Sequence, residues 1–315
     1  MIAGSAIVVT HNSAGQIGRC LEALRKEARW QRIVVDNASQ DDTVERAEKA
    51  DPAARVVKNR QNIGFAAAAN QGARLASGNI LVLLNPDTIA QPGALDALAA
   101  AFDDKVGAAG GRLLRENGDV DRGFCLRRFP TLFSVAAEIL LLNRLWPSNP
   151  WNRNYRCLDL DYSKPQEVDQ PPGACLAVRR EAWTSIAGFD ESFFPIWFED
   201  VDFCRRLRTH NWKILYSPSA VFVHRGGHSV SQLPVSDRQV FWYRNLLRYW
   251  RKHSRPAAVV ALRAIITLGM ALRSLATLIG LGPENAPPAE ALRAYARVVR
   301  QFALKTSSSR SSDAR

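Results

Sequence analysis

Four short apolar runs, each closing on polar residues and leading into a helix-like stretch, constrain this chain more than any other feature. Residues 5–10 end at His11, Asn12 and Ser13, after which Ile17, Cys20, Leu21 and Leu24 recur at helical spacing. Ile33, Val34 and Val35 run into Asp36, Asn37, Ala38 and Ser39, and Ser39 or Asp41 is placed to cap a helix carrying Val44 to Ala50. A third run, residues 55–58, gives way to Asn62, Ile63, Gly64 and Phe65 before a small-residue helix over 66–76. The fourth, residues 80–84, stops at Asn85, Pro86 and Asp87. Short apolar strands alternating with helices predict an α/β fold with a parallel sheet covered on both faces and right-handed connections. Ligands collect at the carboxyl ends of such strands. Thr10, His11, Asn12, Asp36, Asn37, Asn62 and Asp87 all fall there.

Beyond Val106 the pattern changes. Residues 112–120, with Asn117 and Gly118 at the centre, predict a hairpin with a primed turn. Residues 129–170 are rich in Trp, Asn, Pro and Arg and read as an irregular acceptor-side lid. Pro171, Pro172 and Gly173 open a strand over 174–178, a short helix covers 180–186, and another begins near Glu199 and runs through His210. A last strand, 215–223, delivers His224.

The 315 residues suffice for one large α/β domain and an appendage. The net charge of +12 is unevenly placed: residues 225–315 hold 15 Lys and Arg against 4 Asp and Glu, and the rest is close to neutral. A basic appendage beside a neutral body predicts attraction to a polyanion. The apolar stretch 257–281 carries Arg263 and Arg273, so it predicts an amphipathic helix on an anionic membrane surface rather than a span. Arg244, Arg248, Arg251, Lys252 and Arg255 support that reading, and residues from 306 onward read as disordered. Five scattered cysteines with no CxxC pair argue against a disulfide framework or a zinc knuckle. The N-terminal residues lack a basic segment and a long apolar stretch, so the expected setting is the reducing cytoplasm, at the inner face of the membrane.

The chemistry concentrates in Trp197-Phe198-Glu199-Asp200-Val201-Asp202 and in His224-Arg225-Gly226-Gly227-His228, with Asn85-Pro86-Asp87 upstream. These supply oxygen and imidazole ligands for a hard divalent ion and a spare carboxylate to act as base. Metal-assisted transfer of a sugar from a nucleotide diphosphate needs that combination. Each piece has a plainer explanation on its own: Asp87 as a helix cap, His224 as a structural histidine, the acids as a helix first turn. Turn chemistry accounts for Asn62, Gly64 and Phe65 but leaves Asn70 and Gly72 unexplained. Gly226 and Gly227 would let backbone amides approach a diphosphate. No phosphate loop of the G-x-x-x-x-G-K-S/T or strand-linked G-x-G-x-x-G kind occurs.

As an ordered set, Thr10-His11-Asn12, Asp36-Asn37, Asn62-Ile63-Gly64-Phe65, Asn70, Gly72, Asn85-Pro86-Asp87, Gly173-Ala174, Gly188-Phe189-Asp190, Glu199-Asp200-Val201-Asp202 and His224 resemble glycosyltransferase family 2, particularly its rhamnosyltransferase-like branch. The resemblance covers residues 4–230. It implies a GT-A fold with a mostly parallel sheet, a nucleotide-diphosphate-sugar donor and inversion at the anomeric carbon. Thr10 and Asp36 would contact base and ribose, with His11, Asn12, Asn37, Asn62, Gly64, Phe65, Asn70 and Asn85 on the donor side. Asp87 and His224 would hold Mg²⁺ or Mn²⁺, and Asp200, beside Glu199, would be the general base. Gly173, Ala174, Trp197, Gly226, Gly227 and His228 would lie on the acceptor or diphosphate side. Asn85 departs from the aspartate of many relatives, and the Gln-x-x-Arg-Trp signature of processive members is missing.

The expected organisation is a catalytic domain over 1–230, with a nucleotide-sugar half to residue 110 and an acceptor half from 111, then a membrane-associating region over 231–305. The expected acceptor is a lipid-linked molecule or a polysaccharide of the cell envelope. Two rivals are a sugar nucleotidyltransferase and a nucleic-acid-binding protein. The first wants a glycine-rich basic loop after strand one, where this chain has Thr10-His11-Asn12; the second wants solvent-facing aromatics such as Tyr243, Tyr249 and Trp250 among the basic residues. The balance favours an anionic membrane and no nucleic acid.

Overall fold

The first half of the chain forms the expected parallel ladder: β1 (Gly4–Thr10), β2 (Trp30–Asp36), β3 (Arg55–Lys58) and β4 (Ile80–Leu84), alternating with α1 (Ile17–Leu24), α2 (Thr43–Ala50) and α3 (Phe65–Leu75). This is a computed structural model, and it describes residues 3–226, 234–283 and 286–303. Every residue of β1 is buried, which is why the strand reads as a continuous apolar run rather than an alternating one. Ile17, Cys20, Leu21 and Leu24 of α1 are buried against the sheet, and each large side chain so placed contributes roughly 1.5–3 kcal/mol.

The remaining elements are β5 (Thr88–Ala90), α4 (Ala94–Ala99), β6 (Val106–Leu114), α5 (Leu132–Ile139), α6 (Leu142–Leu145), α7 (Pro150–Tyr155), β7 (Gln166–Glu167), β8 (Cys175–Arg179), α8 (Arg180–Ser185), α9 (Glu199–Thr209), β9 (Lys213–His224), α10 (Val235–His253), α11 (Pro256–Leu278) and α12 (Pro288–Val298). A π-helical turn, Val299–Ala303, follows. The strands form one mixed sheet in the order β3-β2-β1-β4-β8-β6-β9-β5, with β7 also on β9. β8 runs antiparallel between β4 and β6, and β6 lies parallel to β9.

The chain divides into two compact units, residues 1–129 with 153–232, and residues 130–152 with 233–315. The first holds the whole sheet. In the second, α11 packs on α5: a β-carbon on Gly269 would sit 2.3 Å from Ile139 Cγ2. Residues 129–170, expected to be irregular, therefore carry three short helices. Thr131 and Ser134 form a reciprocal capping box at the start of α5, a signal less conspicuous than the usual Glu or Gln partner. The expected hairpin is reduced to a turn at Gly118 and one antiparallel bridge, Leu114 to Val120, because the chain turns away into 121–125. Tyr243, Tyr249 and Trp250 are buried, so these three offer no stacking platform for nucleic acid. Residues 306–315 lie outside the described residues.

Gly72, left unexplained by turn chemistry, is a packing residue. A β-carbon there would sit 2.4 Å from Ile7 Cγ2, so α3 reaches β1 only because the side chain is absent. Gly72→Val is expected to destabilise the fold by about 1–3 kcal/mol through overpacking, as read from the midpoint of chemical denaturation; an unchanged midpoint would contradict this packing.

Candidate active site

The ends of β1, β2 and β3 are tied together by side chains. Thr10 and Asp36 are register partners, and Asn37 N donates to Thr10 O at 2.8 Å. Asp36 accepts from Ser39 Oγ at 2.5 Å and from Ser39 N at 3.1 Å, while Ser39 Oγ accepts from Asn12 N at 2.8 Å. Ser39 is thus occupied in this turn, and it is Asp41 that accepts from Thr43 N at the start of α2. His11 Nδ1 lies 2.9 Å from Asn37 O. Asn37 accepts from Ile63 N at 3.0 Å and donates to Asn62 Oδ1 at 2.8 Å, and Asn62 Oδ1 also accepts from Gly64 N. Gly64 has φ +84°, and a β-carbon there would meet the Phe194 ring at 2.8 Å; Phe65 N donates to Pro195 O. Thr10 Oγ1 is buried at this strand end with no hydrogen-bond partner among the described residues.

Asn70 makes a different set of bonds. Its amide accepts from Phe189 N and donates to Phe189 O and Glu191 Oε1, all at 2.9 Å, bracing the loop after Gly188. Arg206 completes the brace: it pairs with the buried Asp202 at 2.7 Å and donates to Ile186 O and Gly188 O. Asp202 is thereby a structural ion-pair partner, distinct from its neighbour Asp200.

Asp87 and His224 are brought together by the antiparallel β5–β9 ladder, in which Thr88 faces His224 and Arg225 N donates to Asp87 O. His224 Nε2 lies 3.5 Å from Asp87 Oδ1, and both side chains are buried. The imidazole stacks on Phe124 with ring centres 4.7 Å apart. Burial pushes the His224 pKa down and so favours a neutral ring, opposed by the charges of Asp87 and Asp121. Asp87 Oδ1 and His224 Nδ1 are buried without hydrogen-bond partners. A carboxylate oxygen and a neutral imidazole nitrogen this close suit a divalent ion. Among the described residues no group of three or more His, Cys, Asp and Glu forms a complete cage, so the protein alone would leave coordination positions open. Arg19, Glu116 and Arg225 line a cleft together with Asp87, and the two arginines approach Glu116 at 4.0 and 3.6 Å. Gly226 follows with φ +74°; Gly227 and His228 lie outside the described residues.

Asp200 stands in the first turn of α9. Its Oδ2 accepts from Gly173 N at 3.0 Å and Gln170 Nε2 at 3.2 Å. The next residue, Ala174, accepts through its carbonyl from Asn85 N and Thr88 Oγ1, both at 3.2 Å. The dipeptide Gly173–Ala174 therefore joins the Asp200 carboxylate to the strand end that carries Asp87. Trp197 and Phe198, immediately before the acids, both adopt left-handed backbone, with φ of 79° and 71°. Such conformations cost on the order of 1–3 kcal/mol each and persist where surrounding packing enforces them, often at functional sites. Burial raises the Asp200 pKa, opposed by the Gly173 and Val201 amides and by Arg127. Glu199 is raised well above the usual range by burial and by Asp200, and its Oε2 has no partner. Gln170, Phe124 and Arg127 had no sequence signal, since they reach the site from the stretch between strands.

A parallel half-sheet with polar strand ends, an Asp–His pair and a carboxylate at a helix start fit a glycosyltransferase of GT-A fold. The glycosyl transferase family 2 model matches residues 5–184, and the chain belongs to that family. It is 30% identical over 296 residues to an N-acetylglucosaminyl-diphospho-decaprenol L-rhamnosyltransferase of Mycobacterium tuberculosis, covering 85% of this chain and 93% of that protein. Among solved structures it resembles the mannosyltransferase PcManGT from Pyrobaculum calidifontis in complex with GDP-Man and Mn²⁺, with TM-score 0.54, 19% identity, and 95% and 81% of the two chains covered. It also resembles S. aureus TarS 1–349, with TM-score 0.51, 17% identity, and 95% and 90% covered.

The raised Glu199 pKa has a consequence for stability. A carboxyl whose folded pKa lies above its unfolded value of about 4.3 destabilises the fold when ionised. That penalty is absent below the unfolded value and grows as pH rises toward the folded one. Glu199→Gln is expected to raise the melting temperature at neutral pH, with the gap closing as pH falls toward about 4.3; a gap that does not change with pH would contradict the assignment.

Proposed function

We propose that this enzyme transfers a deoxyhexose, rhamnose in particular, from a nucleotide-diphosphate donor to a hydroxyl of a lipid-linked acceptor, with inversion. The observation that carries this reading is the Gly173–Ala174 bridge, which sets the Asp200 carboxylate beside the strand end bearing Asp87. Direct displacement needs a base on the side of the incoming hydroxyl and anion stabilisation on the side of the leaving diphosphate. Asp200, with its raised pKa and partly exposed edge, is suited to accept the acceptor proton. The Gly173 amide and Gln170 hold its carboxylate in one orientation. Asp36, Thr10 and the Asn37–Asn62 network bind the nucleoside. The rhamnosyl specificity and lipid-linked acceptor are supported by the mycobacterial relative, whose sequence is matched along most of its length.

Asp87 and His224 would hold Mg²⁺ or Mn²⁺. Bound there, the ion supplies positive charge to the diphosphate that departs. The buried Asp87 Oδ1, which makes no hydrogen bond and faces His224 Nε2 at 3.5 Å, fits that use better than it fits a helix cap. Absent an aspartate at Asn85, the protein offers a lean ligand set, so the ion is expected to bind weakly without donor.

Asp200→Asn is expected to lower kcat by about 10²–10⁴-fold while donor affinity, measured by calorimetry, stays within a few fold. In the wild type the acidic limb of kcat is expected above the ordinary aspartate value of about 3.9, because the raised pKa means the base form is lost sooner as pH falls. Near-normal turnover by Asp200→Asn would overturn the assignment. Chelation is expected to abolish transfer, with recovery on adding Mn²⁺; full activity in chelator would remove the metal from the scheme. Retention at the anomeric carbon, read by NMR of the product, would exclude single displacement.

A further inference from the structure

One face of α11 is exposed and apolar, broken only by Thr267, whose hydroxyl donates back to Arg263 O at 2.9 Å. Val260, Ala264, Leu268, Ala271, Leu275 and Leu278 follow steps of three and four residues, which sets them on one side of the helix. Val260, Leu275 and Leu278 are 67, 58 and 71% exposed, and no exposed position of α11 is charged. The opposite face is occupied within the same unit. Leu262, Ile266 and Met270 are buried, Gly269 is closed against Ile139, and Arg273 donates to Glu138 O at 3.0 Å. At the far end Arg144 donates to Leu281 O at 3.1 Å, which brings Leu145 and Trp146, 82 and 49% exposed, beside the end of the stripe. A continuous apolar surface of this kind marks an interaction site.

The charge beside it indicates what covers it. Burial pushes the Arg251 pKa down, and the like charges of Arg263 and Arg248 push it further in the same direction. Arg263 Nε is buried without an acceptor, and neither arginine has an acidic partner among the described residues. A second copy of this chain would press these cations together. Nucleic acid would leave the leucines in water. An anionic bilayer satisfies both features, taking apolar side chains at the acyl boundary and arginines at the phosphates.

We propose that this surface docks on anionic phospholipid, with α11 lying in the plane of the interface and Arg251 and Arg263 on lipid phosphates. The helix is long and apolar enough to cross a membrane by length and composition. Crossing would strip its packed face and carry Arg263 and Arg273 into hydrocarbon, so the surface orientation is favoured. This docking does not depend on the role of Asp200, and the two fail separately.

The test is co-sedimentation of the full chain with vesicles of phosphatidylcholine alone and with about a third anionic phospholipid. Binding is expected to the anionic vesicles only. Arg251→Gln with Arg263→Gln should weaken it roughly thirtyfold, and Leu275→Glu with Leu278→Glu at least about tenfold. Both leucines are exposed, so unchanged thermal melting of that variant shows the fold is intact. All five native cysteines are buried, so Leu278→Cys can be labelled selectively, and an environment-sensitive dye there should shift to the blue on anionic vesicles. Donor hydrolysis in vesicle-free solution should match wild type in both double variants, while Asp200→Asn should lose turnover and keep vesicle binding. Equal binding of all variants, equal binding to neutral vesicles, resistance to carbonate extraction as for a spanning helix, or a solution dimer that Leu275→Glu dissolves would each overturn the proposal.

Discussion

The three hydrogen bonds made by Gly173 and Ala174 hold the site together. One residue donates its amide to the Asp200 carboxylate, and the next accepts through its carbonyl from Asn85 and Thr88. An N–H···O bond tolerates only a few tenths of an ångström of slack, so the Asp200 carboxylate and the strand end bearing Asp87 share one fixed reference. Their positions follow from β8, which enters the sheet antiparallel beside β4 and carries the bridge at its start. The proposed displacement would require precise placement of this kind.

Around that reference the electrostatics diverge. Asp202 is neutralised by Arg206 and fixes a loop; Asp200 keeps an exposed edge with its pKa raised; Glu199 is buried with an unpartnered oxygen. Three acids in one helical turn thus have three environments. The left-handed Trp197 and Phe198 are the local cost of turning that helix start toward the bridge. Environment rather than residue type separates structural acids from reactive ones.

Much of this was legible from residues alone. Period and termination signals located β1 to β4 and their polar ends, because a strand buried on both faces writes itself as an apolar run. The pairing of Asp87 with His224 was legible only as chemistry, since nothing in the sequence says that β5 pairs with β9. The insertion of β8 between β4 and β6 was invisible for the same reason: strand order is a property of the sheet, not of any segment. Gln170 and Phe124 carried no signal because they reach the site from stretches that no strand or helix pattern marks. Asn70 had the composition of a ligand-binding residue, yet its amide is occupied by the loop at Phe189. Residues 130–152 read as loop because their helices are short and packed within the second unit rather than on the sheet.

β9 carries a further lesson. Against β6, its register jumps: Gly111 faces Ser217, but Arg112 faces Val221, so three residues of β9 stand opposite no partner. An odd insertion inverts which side of a pleated strand each later residue occupies. Ser217 and Phe222 therefore share a side although five positions separate them, and His224 inherits its side from that inversion. The irregularity acts as a parity switch for the imidazole. Lineages of this fold should accept length changes in the surface loops far more readily than a single residue gained or lost between Ser217 and Val221.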